Sequence, residues 1–173
     1  MKYSAKLIIL IYSLSFSVLG QNQMTASDVT GFFLNEMKNK EYFNASEYVS
    51  QEELSWLKNS TIPLLKNDEF LDSFELDKLS DQGISDLTES EIFALWSMLV
   101  WERRDKSFGS FQPANVLGEV SESEKVSHVV VRDIVNPIYE AVVYTLVNEN
   151  GSWKIKLPRI IRGTVTIYQR VST

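Results

Sequence analysis

Six residues of this chain carry the chemistry that a reaction or a binding site would draw on. His128 is the single histidine. An imidazole changes charge near neutral pH, so it is the side chain best suited to taking and returning a proton. It falls in a valine-rich stretch, on the side shared with Val126, Val130 and Arg132. If that side faces the interior, His128 is placed to act as a general base. If it faces outward, it is a strand histidine bonded to a neighbour.

Asp133 and Glu140 lie on adjacent predicted strands, separated by a short turn through Asn136 and Pro137. Burial would raise a carboxyl pKa towards the range useful for proton transfer, whereas charge at strand ends is commonly solvated, and Arg132 or Arg159 offers an ion-pair partner. Tyr144 shares a strand face with Val142 and Leu146; its hydroxyl either enters a cavity or is bonded within packed core. Trp96 and Trp101 stand five residues apart on a predicted buried helix and so point to different sides of it. Trp96, Trp101 and Tyr144 are the residues that would line an apolar pocket, aromatic core being the alternative. No catalytic set is assigned; His128, Asp133 and Glu140 are the candidates a reaction would use.

Other chemistries are excluded by what the chain lacks. With no cysteine and one histidine, no zinc-type ligand set can form. There is no Gly-rich phosphate loop and no Gly-x-Ser-x-Gly elbow. No metal or cofactor is expected. Asn44-Ala45-Ser46, Asn59-Ser60-Thr61 and Asn150-Gly151-Ser152 match the glycosylation acceptor pattern, which is frequent by chance.

The elements that must position these residues divide the chain in two. Thr25 to Asp28 reads as a helix start, because hydroxyl and carboxylate groups accept from the unpaired amides there. Val29, Phe32, Phe33 and Met37 follow at helical spacing. A second short helix is expected between Asn39 and Val49, and a third after Ser50-Gln51-Glu52-Glu53, read as a capping box, with Leu54 and Leu57 on one side. Pro63 suits a first turn, and Leu64 to Phe74 suggest helix. Asp77 to Ser85 reads as a loop with Gly83 as a stop. Thr88 to Glu91 is a second capping box, and Ile92 to Trp101 is apolar around most of its circumference, ending at Arg103 and Arg104.

After Gly109 the period changes to two. Strands are predicted over Asn115–Ser121, Lys125–Val135, Ile138–Val147 and Trp153–Leu157, and Arg159–Val171 as a last strand. Asn150-Gly151 is a strong hairpin signal. The fold class is therefore α+β, with N-terminal helices packed on a C-terminal antiparallel sheet. No repeat or low-complexity linker divides residues 21–173, so one domain is expected.

The first 20 residues stand apart. Lys2 and Lys6 precede an apolar run from Leu7 to Leu19 that is softened by Ser13, Ser15 and Ser17. This reads as a secretory signal peptide cleaved after Gly20, since the run is too short and too serine-rich to span a bilayer. A secreted or periplasmic protein follows, with no stable membrane insertion after cleavage. Removing Lys2 and Lys6 takes the net charge from −6 to −8. That acidity repels phosphate backbones, so nucleic acid is not an expected partner.

Two stretches carry a family resemblance. Val29-Thr-Gly-Phe-Phe-Leu-Asn-Glu-Met-Lys-Asn-Lys-Glu-Tyr-Phe43 resembles the first helix and the start of the second in the nuclear transport factor two-like superfamily. Val143-Tyr-Thr-Leu-Val-Asn-Glu-Asn-Gly-Ser-Trp-Lys-Ile155 is similar to its penultimate strand, turn and last strand. The resemblance spans roughly residues 26 to 158; Arg159–Val171 would extend it, and Thr61–Thr88 is longer than a minimal member needs. It implies a cone-shaped α+β fold with a curved sheet that commonly encloses a pocket. It also leaves three roles open. The first is a non-enzymatic module whose concave sheet face holds a small apolar ligand or a protein partner. The second is a small hydro-lyase or isomerase that uses some of His128, Asp133, Glu140 and Tyr144, carboxylates abstracting protons in the related isomerases. The third is an accessory subunit that works only by dimerising through its sheet. The binding module is the first expectation.

Overall fold

The computed structural model describes residues 24–108, 115–135 and 138–171, and the side chains of all of these except 102–108, 133–135 and 138–140. Six α-helices precede the sheet: α1 Ala26–Lys38, α2 Tyr42–Ser46, α3 Gln51–Thr61, α4 Asp68–Phe74, α5 Asp81–Asp86 and α6 Glu89–Phe108. A four-stranded antiparallel sheet follows in the order β1 Asn115–Ser123, β2 Val126–Val135, β3 Ile138–Glu149 and β4 Ser152–Ile155, and α7 Arg159–Val171 closes the described chain. The architecture is α+β.

Local chemistry sets the helix boundaries. Thr25 and Asp28 form a reciprocal capping box on α1, and Thr88 and Glu91 exchange the equivalent bonds at the start of α6. Each pair satisfies two amides that the first turn leaves without partners. Asn150 and Gly151 adopt φ values of 53° and 87°, the two positive angles of a type I′ turn, whose twist matches that of the strands it joins. Trp153, just past the turn, is half-buried.

Four expectations need correction. Ser50 does not cap α3 through its side chain; its hydroxyl donates to Glu149, and Glu53 bonds to Arg162 instead of reaching back. The second helix is confined to Tyr42–Ser46, because Asn39 caps α1 and Lys40 turns the chain at a φ of 62°. Part of the expected loop is helix α5, started by Ser80, whose hydroxyl accepts from the Gly83 amide. Helix α6 runs beyond Arg104 to Phe108.

A fifth correction is larger. Arg159–Val171 is helix α7, where a strand is expected. The edge at which a fifth strand would add is already taken. The Ser50 amide donates to the Ile155 carbonyl at 2.8 Å and the Ile155 amide to the Tyr48 carbonyl at 2.7 Å, so the α2–α3 connection bridges to the last residue of β4. The last segment instead lies against the helices, burying Ile161 and Val165 and leaving Ile167 and Val171 exposed.

The core has two aromatic foci. Phe33 on α1 packs on Phe93 of α6 and edge-on to Tyr144 of β3, with ring centroids 6.4 and 6.0 Å apart. A second cluster joins Phe70 and Phe74 of α4, Trp96 of α6 and Tyr168 of α7, with centroids between 4.9 and 6.4 Å. Glu53, almost buried, anchors Arg162, whose guanidinium also lies 4.1 Å from the centre of the Trp56 ring. That contact combines a charge-assisted bond with cation–π attraction.

Candidate functional site

The sheet register decides which candidates share a surface. His128 is paired with Thr145 and Val129 with Tyr144. Because successive side chains of a strand point to opposite faces, His128 and Tyr144 lie on different sides of the sheet. The inner side carries Val129, Val131, Leu146 and Ile155, all at 0–1% exposure, and there Tyr144 meets Phe33 of α1. The outer side carries Gly118, Val120, His128, Val130, Arg132, Ala141, Val143, Thr145 and Val147, as the cross-strand pairs require.

His128 is therefore not an interior base. Its Nε2 lies 2.8 Å from Glu122 Oε2 and its Nδ1 3.1 Å from Thr145 Oγ1. An ionised carboxylate only accepts, so Nε2 carries a proton. In the neutral imidazole Nδ1 then accepts from the Thr145 hydroxyl. This is the bonded strand histidine that the residue pattern offers as the alternative to a catalytic one. Glu122 is 66% exposed and the His128 side chain 32%, so the pair meets water directly.

Asp133 and Glu140 are direct register partners of β2 and β3; their side chains lie outside the described residues. Two of the three pocket candidates, Trp96 and Tyr144, fall in different aromatic foci. Trp96 is fully buried in the Phe70–Phe74–Tyr168 cluster, and its indole N–H donates to Thr61 Oγ1 at 2.7 Å. Tyr144 belongs to the other focus, beside Phe33. Trp101 is 4% exposed, and among the described residues neither its Nε1 nor the hydroxyl of fully buried Ser97 has a hydrogen-bond partner. Four residues apart, Ser97 and Trp101 occupy one side of α6.

Two sets of polar residues escape a reading by local pattern. Glu119 accepts from the Ser27 amide at 2.9 Å, from its hydroxyl at 2.8 Å and from the Ser127 hydroxyl at 2.9 Å. It ties the first turn of α1 to β1 and β2, where a carboxylate also complements the positive helix end. Glu53 and Arg162 join α3 to α7. Both contacts link residues about a hundred positions apart, which no local signal foretells. Asp28 and Glu91 are held below the usual carboxylate range, chiefly by the backbone amides of Thr25 and Thr88 and then by their hydroxyls; each serves a helix start. Among the described residues no three His, Cys, Asp or Glu side chains converge as metal ligands would, and no helix is long and apolar enough to cross a membrane.

The outer face of the sheet is among the surfaces that expose apolar side chains. Val120 and Val143 are 62% and 57% exposed on the outer face, where a purely solvated sheet would carry polar groups. No protein-family model matches this chain, and no curated protein is significantly similar to it.

Proposed function

We propose that this protein is an exported, non-enzymatic binding module that docks a partner on the outer face of its sheet. The observation that carries this reading is the valine surface of β1–β3, where Val120 and Val143 are exposed on either side of half-buried Val130. Burying it would remove apolar surface from water at about 25 cal/mol per Å², and β-branched side chains lose little freedom when they are covered. The enzyme reading lacks equivalent support, since His128 and Tyr144 lie on opposite sides of the sheet. Export rests on the Lys2 and Lys6 start and the apolar run after it.

The test is a photo-activatable cross-linking amino acid at position 143, compared with one at exposed Asn59 on α3. In the native host, irradiation is expected to give a discrete adduct from position 143 and none from 59. No adduct from position 143 would refute the docking face. Full-length chain in the cytoplasmic fraction, still beginning at Met1, would refute export.

A further inference from the structure

Helix α7 is apolar on two sides. Ile161, Val165 and Tyr168 turn inward, against the neighbouring helices and the ring cluster. Ile160, Ile167 and Val171 turn outward, at 43%, 62% and 69% exposure. With Thr164 they are spaced four, three and four residues apart, the a/d repeat of a helix that packs along one other helix. At about 3.6 residues per turn the four positions fall within an arc of about 60°. Thr164 does not interrupt the stripe. Its hydroxyl donates to the Ile160 carbonyl at 2.8 Å, so its polar group is satisfied within α7. Beside the stripe Gly163 is exposed, and a Cβ built there meets nothing within 4 Å, so a second backbone has room to approach.

The charges around the stripe select what fits it. Helix α7 carries Arg159, Arg162 and Arg170 and no acidic residue, in a chain whose net charge is −6. Arg162 is engaged by Glu53, whereas Arg159 and Arg170 are exposed. By helical spacing these two lie with Gly163 along one border of the stripe. The other border is Ile161 and Tyr168, which belong to the protein's own core. A positive border beside an apolar seam is complemented by a helix with apolar a and d positions and carboxylates flanking them. A second copy of α7 fits poorly, because it sets arginine against arginine. A bilayer fits poorly as well. A helix lying in the interface needs a broader apolar face than this narrow seam, and the acidic remainder of the chain is repelled by anionic lipid. We infer that α7 docks an acidic amphipathic helix of a partner protein, its apolar seam on Ile160, Thr164, Ile167 and Val171 and its carboxylates on Arg159 and Arg170. Because α7 lies against α3 and α6, this surface is separate from the outer face of the sheet and does not depend on it.

The test uses two synthetic peptides of about three heptads with leucine at a and d, one with glutamate and the other with lysine at e and g, so that like charges keep each from pairing with itself. Each is titrated with the purified protein by fluorescence anisotropy up to roughly 500 μM, the weak range proper to an interface of one short helix. The glutamate peptide is expected to bind at least about tenfold more tightly than the lysine peptide, and more weakly as salt rises. Ile167→Glu should weaken binding by roughly tenfold or more, with an unchanged circular dichroism spectrum, since position 167 is 62% exposed. The Arg159→Glu/Arg170→Glu double variant should prefer the lysine peptide. Equal binding of the two peptides, binding of neither, indifference to Ile167→Glu, or an unchanged preference in the double variant would each overturn the inference. Phosphatidylcholine vesicles with about 30% phosphatidylglycerol are the third probe. No co-sedimentation is expected; co-sedimentation that Ile167→Glu abolishes would assign the stripe to a lipid surface and overturn the helix partner.

Discussion

Thr61 and Ser97 are both fully buried hydroxyl residues, and the structure predicts opposite outcomes for removing them. Thr61 Oγ1 donates to the Leu57 carbonyl and accepts from the Trp96 indole N–H, each at 2.7 Å. Thr61→Val replaces the hydroxyl with a methyl of nearly the same size and keeps the β-branched side chain, so neither packing nor rotamer freedom changes much. What changes is Trp96, whose ring is 0% exposed: its N–H is left in a dry core with nothing to bond. An orphaned buried donor costs about 1–3 kcal/mol. For a domain of this size each kcal/mol moves the midpoint by about 2–4 °C, so a fall of roughly 2–12 °C is expected. Ser97→Ala works the other way, because its hydroxyl has no partner among the described residues. Removing it relieves a desolvated polar group and installs the better helix former, so the midpoint should hold or rise. In a Trp96→Phe background, Thr61→Val should cost far less than it does alone. Thermal and urea unfolding of these variants beside the parent measures all of this. Thr61→Val without effect, or Ser97→Ala as damaging as Thr61→Val, would refute the hydrogen-bond accounting of this core.

Three further predictions address the backbone and the caps. Gly163 lies inside α7, exposed, with nothing within 4 Å of the place a Cβ would take, so Gly163→Ala should stabilise by about 0.5–1 kcal/mol in urea titrations, and a loss would speak against helical backbone there. Gly151→Val should destabilise by at least about 1–2 kcal/mol, since a β-branched residue resists the φ of 87° that this turn requires. Asp28 and Glu91 have folded pKa values below their ordinary 3.8 and 4.5. Their contribution is therefore present above those values and lost as the pH falls through the lowered ones. Asp28→Ala and Glu91→Ala should be less stable than the parent at pH 7, with the gap closing below about pH 4 when urea midpoints are followed against pH.

Some local signals carry through to the structure, although the Ser50–Glu53 box gives way to partners far along the chain. The hydroxyl-and-acid caps of α1 and α6 are written within four residues each, and so is the Asn150-Gly151 turn. Helix α7 is different. Ile160, Ile161, Thr164, Val165, Thr166 and Ile167 are β-branched, and Gly163 is a poor helix former, so local preference favours a strand. Tertiary structure overrides it, because Tyr48–Ser50 occupies the edge of β4. The periodicity is misleading as well: Ile161 and Val165 are buried while Ile167 and Val171 are not, so a period of two and a period of four fit the same letters until the partner surface is known. The site candidates show a related limit. That His128 shares a side with Val126, Val130 and Arg132 can be read from alternation. Which side is inside cannot, because valines line both, with Val129 and Val131 within and Val130 and Val143 without. The Glu119–Ser27 contact spans 92 positions, and no periodicity encodes it.

Helix α7 also sets an order of events. The ring cluster that seals the helical half draws Phe70 and Phe74 from α4 and Trp96 from α6, but its fourth member, Tyr168, arrives last. At about 5–20 residues per second, the roughly 72 positions between Trp96 and Tyr168 take roughly 4–14 s to synthesise. During that interval the three earlier rings lack the surface that covers them, and closing so long a loop is slow compared with local helix formation. A ribosome-bound chain therefore has its caps and turns in place while its interior is still open.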